Sequence, residues 1–106
     1  MAEKDNKQLI MDIVAKFADT ASKEMKLNKV ILYGSYSKGS ERNDSDIDIA
    51  VVSPDFTGDR TEDQFRLMKY RRNIDLRIEP MPFRPEEFVL EDPFVREIIE
   101  TGMVII

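Results

Sequence analysis

The stretch Ser45-Asp46-Ile47-Asp48-Ile49-Ala50-Val51-Val52 constrains this chain more than any other. It reads as a strand over residues 46–53, closed by Pro54. Ile47, Ile49 and Val51 face one way, and Asp46, Asp48, Ala50 and Val52 the other. Side chains two apart on a strand share a face, about 7 Å apart at their Cα atoms. Two carboxylates so placed repel each other unless a cation sits between them, so the spacing asks for a divalent metal. Upstream, the β-branched and aromatic run Lys29–Tyr33 forms another strand that stops at a small turn, Gly34-Ser35-Tyr36-Ser37-Lys38-Gly39. A phosphate-sized turn beside a carboxylate pair sized for Mg²⁺ is equipment for handling a nucleoside triphosphate.

The remaining composition removes competing chemistries. The 106 residues include no cysteine and no histidine. Zinc sites built on those ligands, thiol nucleophiles and Ser-His-Asp triads are therefore excluded. Proton transfer falls to carboxylates, lysine, tyrosine or water. The net charge of −5, with acids and bases well mixed, argues against bulk binding of nucleic acid. Lys69, Arg71 and Arg72 form the one short basic run and read as the solvated end of a helix. No apolar stretch is long enough to span a membrane and no signal-peptide pattern is present, so a soluble cytoplasmic protein is expected.

The rest of the chain shows no repeat, linker or low-complexity tract, which leaves one unit over residues 1–106. Leu9, Ile10, Ile13, Val14, Phe17, Ala18, Ala21 and Met25 recur at helical spacing and predict an amphipathic helix over residues 7–26. Residues 35–40 can start a short helix, and residues 41–45 have turn chemistry. A helix is expected over 61–72, with Phe65, Met68 and Leu67 as its apolar side. Ile74, Leu76 and Ile78 then alternate with Asp75, Arg77 and Glu79, the pattern of a third strand broken by Pro80 and Pro82. Pro85 and Pro93 open two further short helices, the second reaching residues 100–102. The apolar tail Met103-Val104-Ile105-Ile106 is either a closing strand or a docking element. Phe17, Phe65, Phe88 and Phe94 are expected in the core, and packing is the expected role of Tyr33 and Tyr36. The fold class expected is α/β (α+β), with a small mixed sheet of three to four strands packed with helices.

The alternation of the third strand brings Asp75 into view. An acid on a mostly apolar strand is costly unless a cation or metal compensates it. With Asp46 and Asp48 it makes a triad able to hold two Mg²⁺ ions about 3.5–4 Å apart. The alternative is an ion pair between Asp75 and Arg77. Glu79 lies on the same face and reads as a solvent-exposed strand end.

The run Gly34-Ser35-x-x-x-Gly39 followed by Ser45-Asp46-x-Asp48 resembles the nucleotidyltransferase signature of the DNA polymerase β superfamily. The chain is similar to its minimal members, which include the MntA-type antitoxins paired with HEPN-domain proteins. The order of elements extends the resemblance from about twenty residues to most of the chain. The resemblance implies that Gly34 and Ser35 grip the β- and γ-phosphates of ATP. It also implies that Asp46, Asp48 and Asp75 are the catalytic acids, with Asp46 and Asp48 ligating the metals and Asp75 completing the second metal site and assisting deprotonation of the acceptor hydroxyl. Many members carry arginine where this chain has Lys38, so Lys38 is expected at the phosphates without the bidentate fork of arginine. Arg42, in the same loop, could substitute or be solvated.

The activity the resemblance implies is Mg²⁺-dependent transfer of AMP from ATP to a hydroxyl. In the minimal family the acceptor is a tyrosine of a partner HEPN-domain toxin, so a hetero-oligomer and an antitoxin role are expected. Two alternatives stay open at this point. One is a non-catalytic antitoxin that neutralises its partner by binding, and the other is a transferase acting on a small-molecule hydroxyl.

Overall fold

The computed structural model describes residues 6–38 and 45–106, with the side chain of Lys38 left out. Helix α1 (Asn6–Ser22) buries Ile10, Val14, Phe17, Ala18 and Ala21 of the stripe that the helical spacing marks, while Leu9 is exposed and the helix stops short of Met25. Strand β1 (Lys29–Tyr33) leads through Gly34 into helix α2 (Ser35–Lys38). Strand β2 (Ile47–Val52) follows, then α3 (Arg60–Met68), a 3-10 turn over Lys69–Arg71, and strand β3 (Ile78–Phe83). A second 3-10 turn (Pro85–Glu87), helix α4 (Pro93–Thr101) and strand β4 (Met103–Val104) complete the order.

The sheet runs β3-β2-β1-β4, with β1 antiparallel to both β2 and β4 and β2 parallel to β3. A parallel pair needs a crossover connection, and α3 supplies it. Each face of the sheet carries its own core. Val30, Leu32, Ile47, Ile49 and Val51 pack on the α1 side with Phe17 and Leu67. Ile31, Ala50 and Val52 pack on the α4 side with Val95 and Ile98. The alternation read from β2 is therefore right, and it puts Asp48 on the α4 face. The tail is a closing strand, since Ile105 N–H donates to Val30 O at 2.8 Å. At Gly102, where α4 turns into β4, an added Cβ would collide with Ile98 O and meet Ile31 Cγ2 at 2.5 Å, so only glycine lets the chain pass this close to β1.

The third strand needs correcting. It begins at Ile78, not at Ile74, and it contains Pro80 and Pro82, which were expected to break the chain. Both prolines are tolerated because β3 is an edge strand. Ile47 N–H and Ser53 N–H reach the carbonyls of Arg77 and Phe83, so the odd-numbered residues face β2 and the prolines point outward. The outward carbonyls are covered as well: Arg71 Nη1 donates to Ile78 O at 2.7 Å and Gln64 Nε2 to Pro80 O at 3.0 Å. An edge covered in this way is protected from pairing with another strand.

Three apolar assignments also change. Helix α3 turns Asp63 and Leu67 inward and leaves Phe65 75% exposed. Asp63 draws that face in because it accepts from Thr57 N–H, Thr57 Oγ1 and Gly58 N–H, a set of bonds that satisfies its buried carboxylate. Phe94 is 42% exposed, since Val95 and Ile98 are the α4 residues that face the sheet. Leu76, outside the strand, is exposed as well.

Candidate active site

The site is assembled on the α4 face, where β1 ends and the parallel strands β2 and β3 begin. Pairing places Tyr33 opposite Asp48 and Asp48 opposite Glu79, so three functional side chains lie in one row across the sheet. Asp46 precedes β2, two residues before Asp48, and is exposed. Gly34 has φ +76°, a left-handed conformation that glycine adopts without strain. The same glycine closes on Asp48: a Cβ built there would lie 2.5 Å from Asp48 Oδ2. The turn and the carboxylate are thus in direct apposition, and Ser35 begins α2 immediately beyond.

Charge is unbalanced in this row. Burial pushes the Asp48 carboxyl above its usual value of 3.8, and the negative charges of Asp46 and then Glu79 push it further. The Tyr33 hydroxyl rises to about 12, mainly through burial and then through Asp48 and Glu79. The partner of Glu79 is Arg71, whose Nη1 lies 3.6 Å from its carboxylate. Gly34 also lines a cleft of about 200 Å³ with Tyr33, Phe94, Glu97, Ile98 and Thr101. Tyr33 and Phe94 meet there edge to face, with ring centroids 5.8 Å apart.

Asp75 stands elsewhere. It lies on the turn before β3, and its carboxylate is engaged by the Arg77 guanidinium, with Nη2 2.7 Å from Oδ2 and Nε 3.0 Å from Oδ1. These bonds hold it below the usual carboxylate range. The ion pair that sequence reading left as the alternative for Asp75 is what forms. Period-two alternation put Asp75 and Glu79 on one face, and the later start of β3 separates them. Glu79, read as an exposed strand end, is the β3 acid that faces Asp48. Lys38's side chain, Gly39, Arg42 and the turn residues 39–44 lie outside the described residues.

A divalent cation fits this donor set. Asp46, Asp48 and Glu79 are hard oxygen ligands of one sign, and the raised Asp48 marks the charge a cation would offset. Among the described residues, no group of three or more acids is gathered closely enough to hold a metal ion without other ligands. A cation held here would complete its shell with water and substrate phosphates beside one or two of these carboxylates.

Comparison with known proteins bears on this arrangement. A Sulfolobus solfataricus protein assigned as a nucleotidyltransferase superposes with a TM-score of 0.66 at 16% identity, over 98% of this chain and 89% of that one. A toxin–antitoxin structure containing AMP-PNP superposes with a TM-score of 0.60 at 22% identity, over 95% of this chain and 73% of that one. An MntA–HpeT toxin–antitoxin mutant, with two aspartates changed to glutamate, gives 0.53 at 21% identity with the same coverage. At these identities the likeness is one of fold. No curated protein matches the chain. The family model of the nucleotidyltransferase domain matches residues 12–106, and the chain belongs to that family.

Proposed function

We propose that this nucleotidyltransferase uses Mg²⁺ and ATP to transfer AMP to a hydroxyl of a partner protein, as the antitoxin of a toxin–antitoxin pair. One observation carries the reading: the Gly34 turn abuts Asp48, with a Cβ built on Gly34 only 2.5 Å from Asp48 Oδ2. A phosphate turn and a metal carboxylate must be this close if one triphosphate is to touch both. The family membership supports the reaction class. The partner is inferred from two neighbours that are toxin–antitoxin structures, one of them containing AMP-PNP. A HEPN-domain toxin with a tyrosine acceptor is the partner the sequence resemblance implies.

In this reading the main-chain N–H groups at Gly34 and Ser35, with the Ser35 hydroxyl, hold the β- and γ-phosphates. Asp46 and Asp48 hold the metal, and Glu79 takes the place first given to Asp75. Bound Mg²⁺ would supply charge neutralisation of the triphosphate and a lower pKa for the acceptor hydroxyl. The acceptor oxygen bonds to the α-phosphorus as the bond to the bridging oxygen breaks, and pyrophosphate leaves. The acceptor proton passes to a carboxylate, for which Glu79 is placed, or to water. Tyr33, pushed up to about 12, stays protonated and serves as a wall and hydrogen-bond donor. Catalysis rests on positioning and charge, not on a covalent intermediate.

The test is co-expression with the product of the neighbouring gene, followed by intact-mass spectrometry of that partner. The expected result is a gain of one or more AMP units, absent with the Asp46→Asn, Asp48→Asn double variant. A stable complex whose partner gains no mass would instead assign neutralisation by binding.

A further inference from the structure

The phosphate turn and the carboxylate strand meet through the β1–β2 pairing, and Arg77, from outside that pair, touches both. Arg77 O accepts from Ile47 N–H at 2.8 Å, which anchors the residue between Asp46 and Asp48. Arg77 Nη1 donates to Tyr36 Oη at 3.1 Å, and Tyr36 is the residue after Ser35. The remaining edge of the guanidinium lies on Asp75, whose Oδ1 also accepts from the Arg77 N–H at 2.9 Å. We propose that Arg77, held by Asp75, is a positioning residue that fixes the orientation of α2, and with it Ser35, relative to the Asp46-x-Asp48 strand. The proposal rests on the nucleotidyl-transfer reading given above.

The geometry explains why an outside brace is needed. The described part of α2, Ser35–Lys38, takes its orientation from what its side chains touch. Tyr36 roots it in the core, where its side chain is 3% exposed, and the bond to Arg77 fixes how the ring enters. Arginine suits the task because a planar fork can serve a carboxylate along one edge and a phenol from its other nitrogen. Lysine has a single point charge and cannot span both. Asp75, 15% exposed, locks the fork in place and touches neither the turn nor the metal strand through any bond it makes to Arg77. The acid first read as catalytic thus acts through another residue.

The test is calorimetric titration of Mg²⁺·AMP-PNP, a non-hydrolysable ATP analogue, into the full chain. Wild type is compared with Tyr36→Phe, Arg77→Lys and Arg77→Ala, and melting curves check that each is folded at the assay temperature. Tyr36→Phe removes one hydroxyl and keeps the ring in the core. The expected result is binding by wild type, with Kd raised about three- to tenfold in Tyr36→Phe, the effect of one hydrogen bond. Arg77→Lys should be weakened at least as much and Arg77→Ala more. Folded Tyr36→Phe and Arg77→Lys that bind as tightly as wild type would overturn the brace and leave the transferase reading standing. A wild type that takes up no analogue would overturn that reading, and the brace with it.

Discussion

Asp48 and Glu79 stand at the same register on the neighbouring parallel strands β2 and β3, with Tyr33 on Asp48's other side. Two carboxylates side by side destabilise the folded chain when nothing positive lies between them. In the nucleotidyl-transfer reading proposed above, that cost to the free protein is the counterpart of a charged ligand bound at the row.

Asp48→Asn should stabilise the metal-free protein at neutral pH. The Asp48 carboxyl is raised by burial, Asp46 and Glu79, so the folded state favours its protonated form. That contribution is fully present below 3.8 and is lost as pH rises through the raised folded value. At pH 7 the gain should be at most about 1 kcal/mol, because solvent screens the pair. Thermal melts with and without Mg²⁺ check it: the ion should raise the Tm of wild type and have little effect on the variant.

Glu79→Gln and Asp75→Asn should fail differently. Loss of the proton-accepting carboxylate should lower kcat by about a hundredfold or more while the fold survives. Asp75→Asn should mainly lower stability. Asp75 is depressed by its bonds to Arg77, so its contribution is present above 3.8 and is lost as pH falls through the folded value. Acid melts of the variant should be flatter than those of wild type. Equal kcat losses in the two variants would contradict the assignment of Glu79.

Gly34→Ala should damage both the backbone and the site. A φ of +76° is strained for alanine, by about 1–3 kcal/mol. The new methyl group would also lie 2.5 Å from Asp48 Oδ2 and push that carboxylate aside. Denaturant melts should show the stability loss, and titration with Mg²⁺·AMP-PNP should show binding reduced well beyond what that loss explains.

Tyr33→Phe should change the alkaline limb of stability. The phenol is raised from 10.0 to about 12, so its contribution is present below 10 and is lost as pH climbs towards 12. The variant should lose less stability across that window than wild type. Spectrophotometric titration of the phenols should find that the Tyr33→Phe variant lacks a late-ionising phase present in wild type.

Much of this was legible along the chain. Local alternation placed Asp48 on a face away from Ile47, Ile49 and Val51, and helical spacing found the buried stripe of α1. Other features were not legible because they depend on neighbours distant in sequence. Pro80 and Pro82 look like strand breakers until β3 proves to be an edge whose outward carbonyls Arg71 and Gln64 cover. Phe65 follows the apolar pattern of its helix, yet buried Asp63 decides which side of α3 turns inward.

By itself the sequence determined the parts: a glycine turn after one strand, an acid pair heading the next, and no histidine or cysteine to offer another chemistry. These depend on residue type and short-range spacing, which period-two and helical geometry make readable. Only the tertiary structure decided which third acid joins them. Strand register is a long-range pairing, and the parallel match of β2 with β3 brings Glu79 to Asp48 while Arg77 engages Asp75. A shift of a few residues in where β3 begins was enough to exchange the two acids, because each step along a strand moves a side chain by more than 3 Å and to the opposite face.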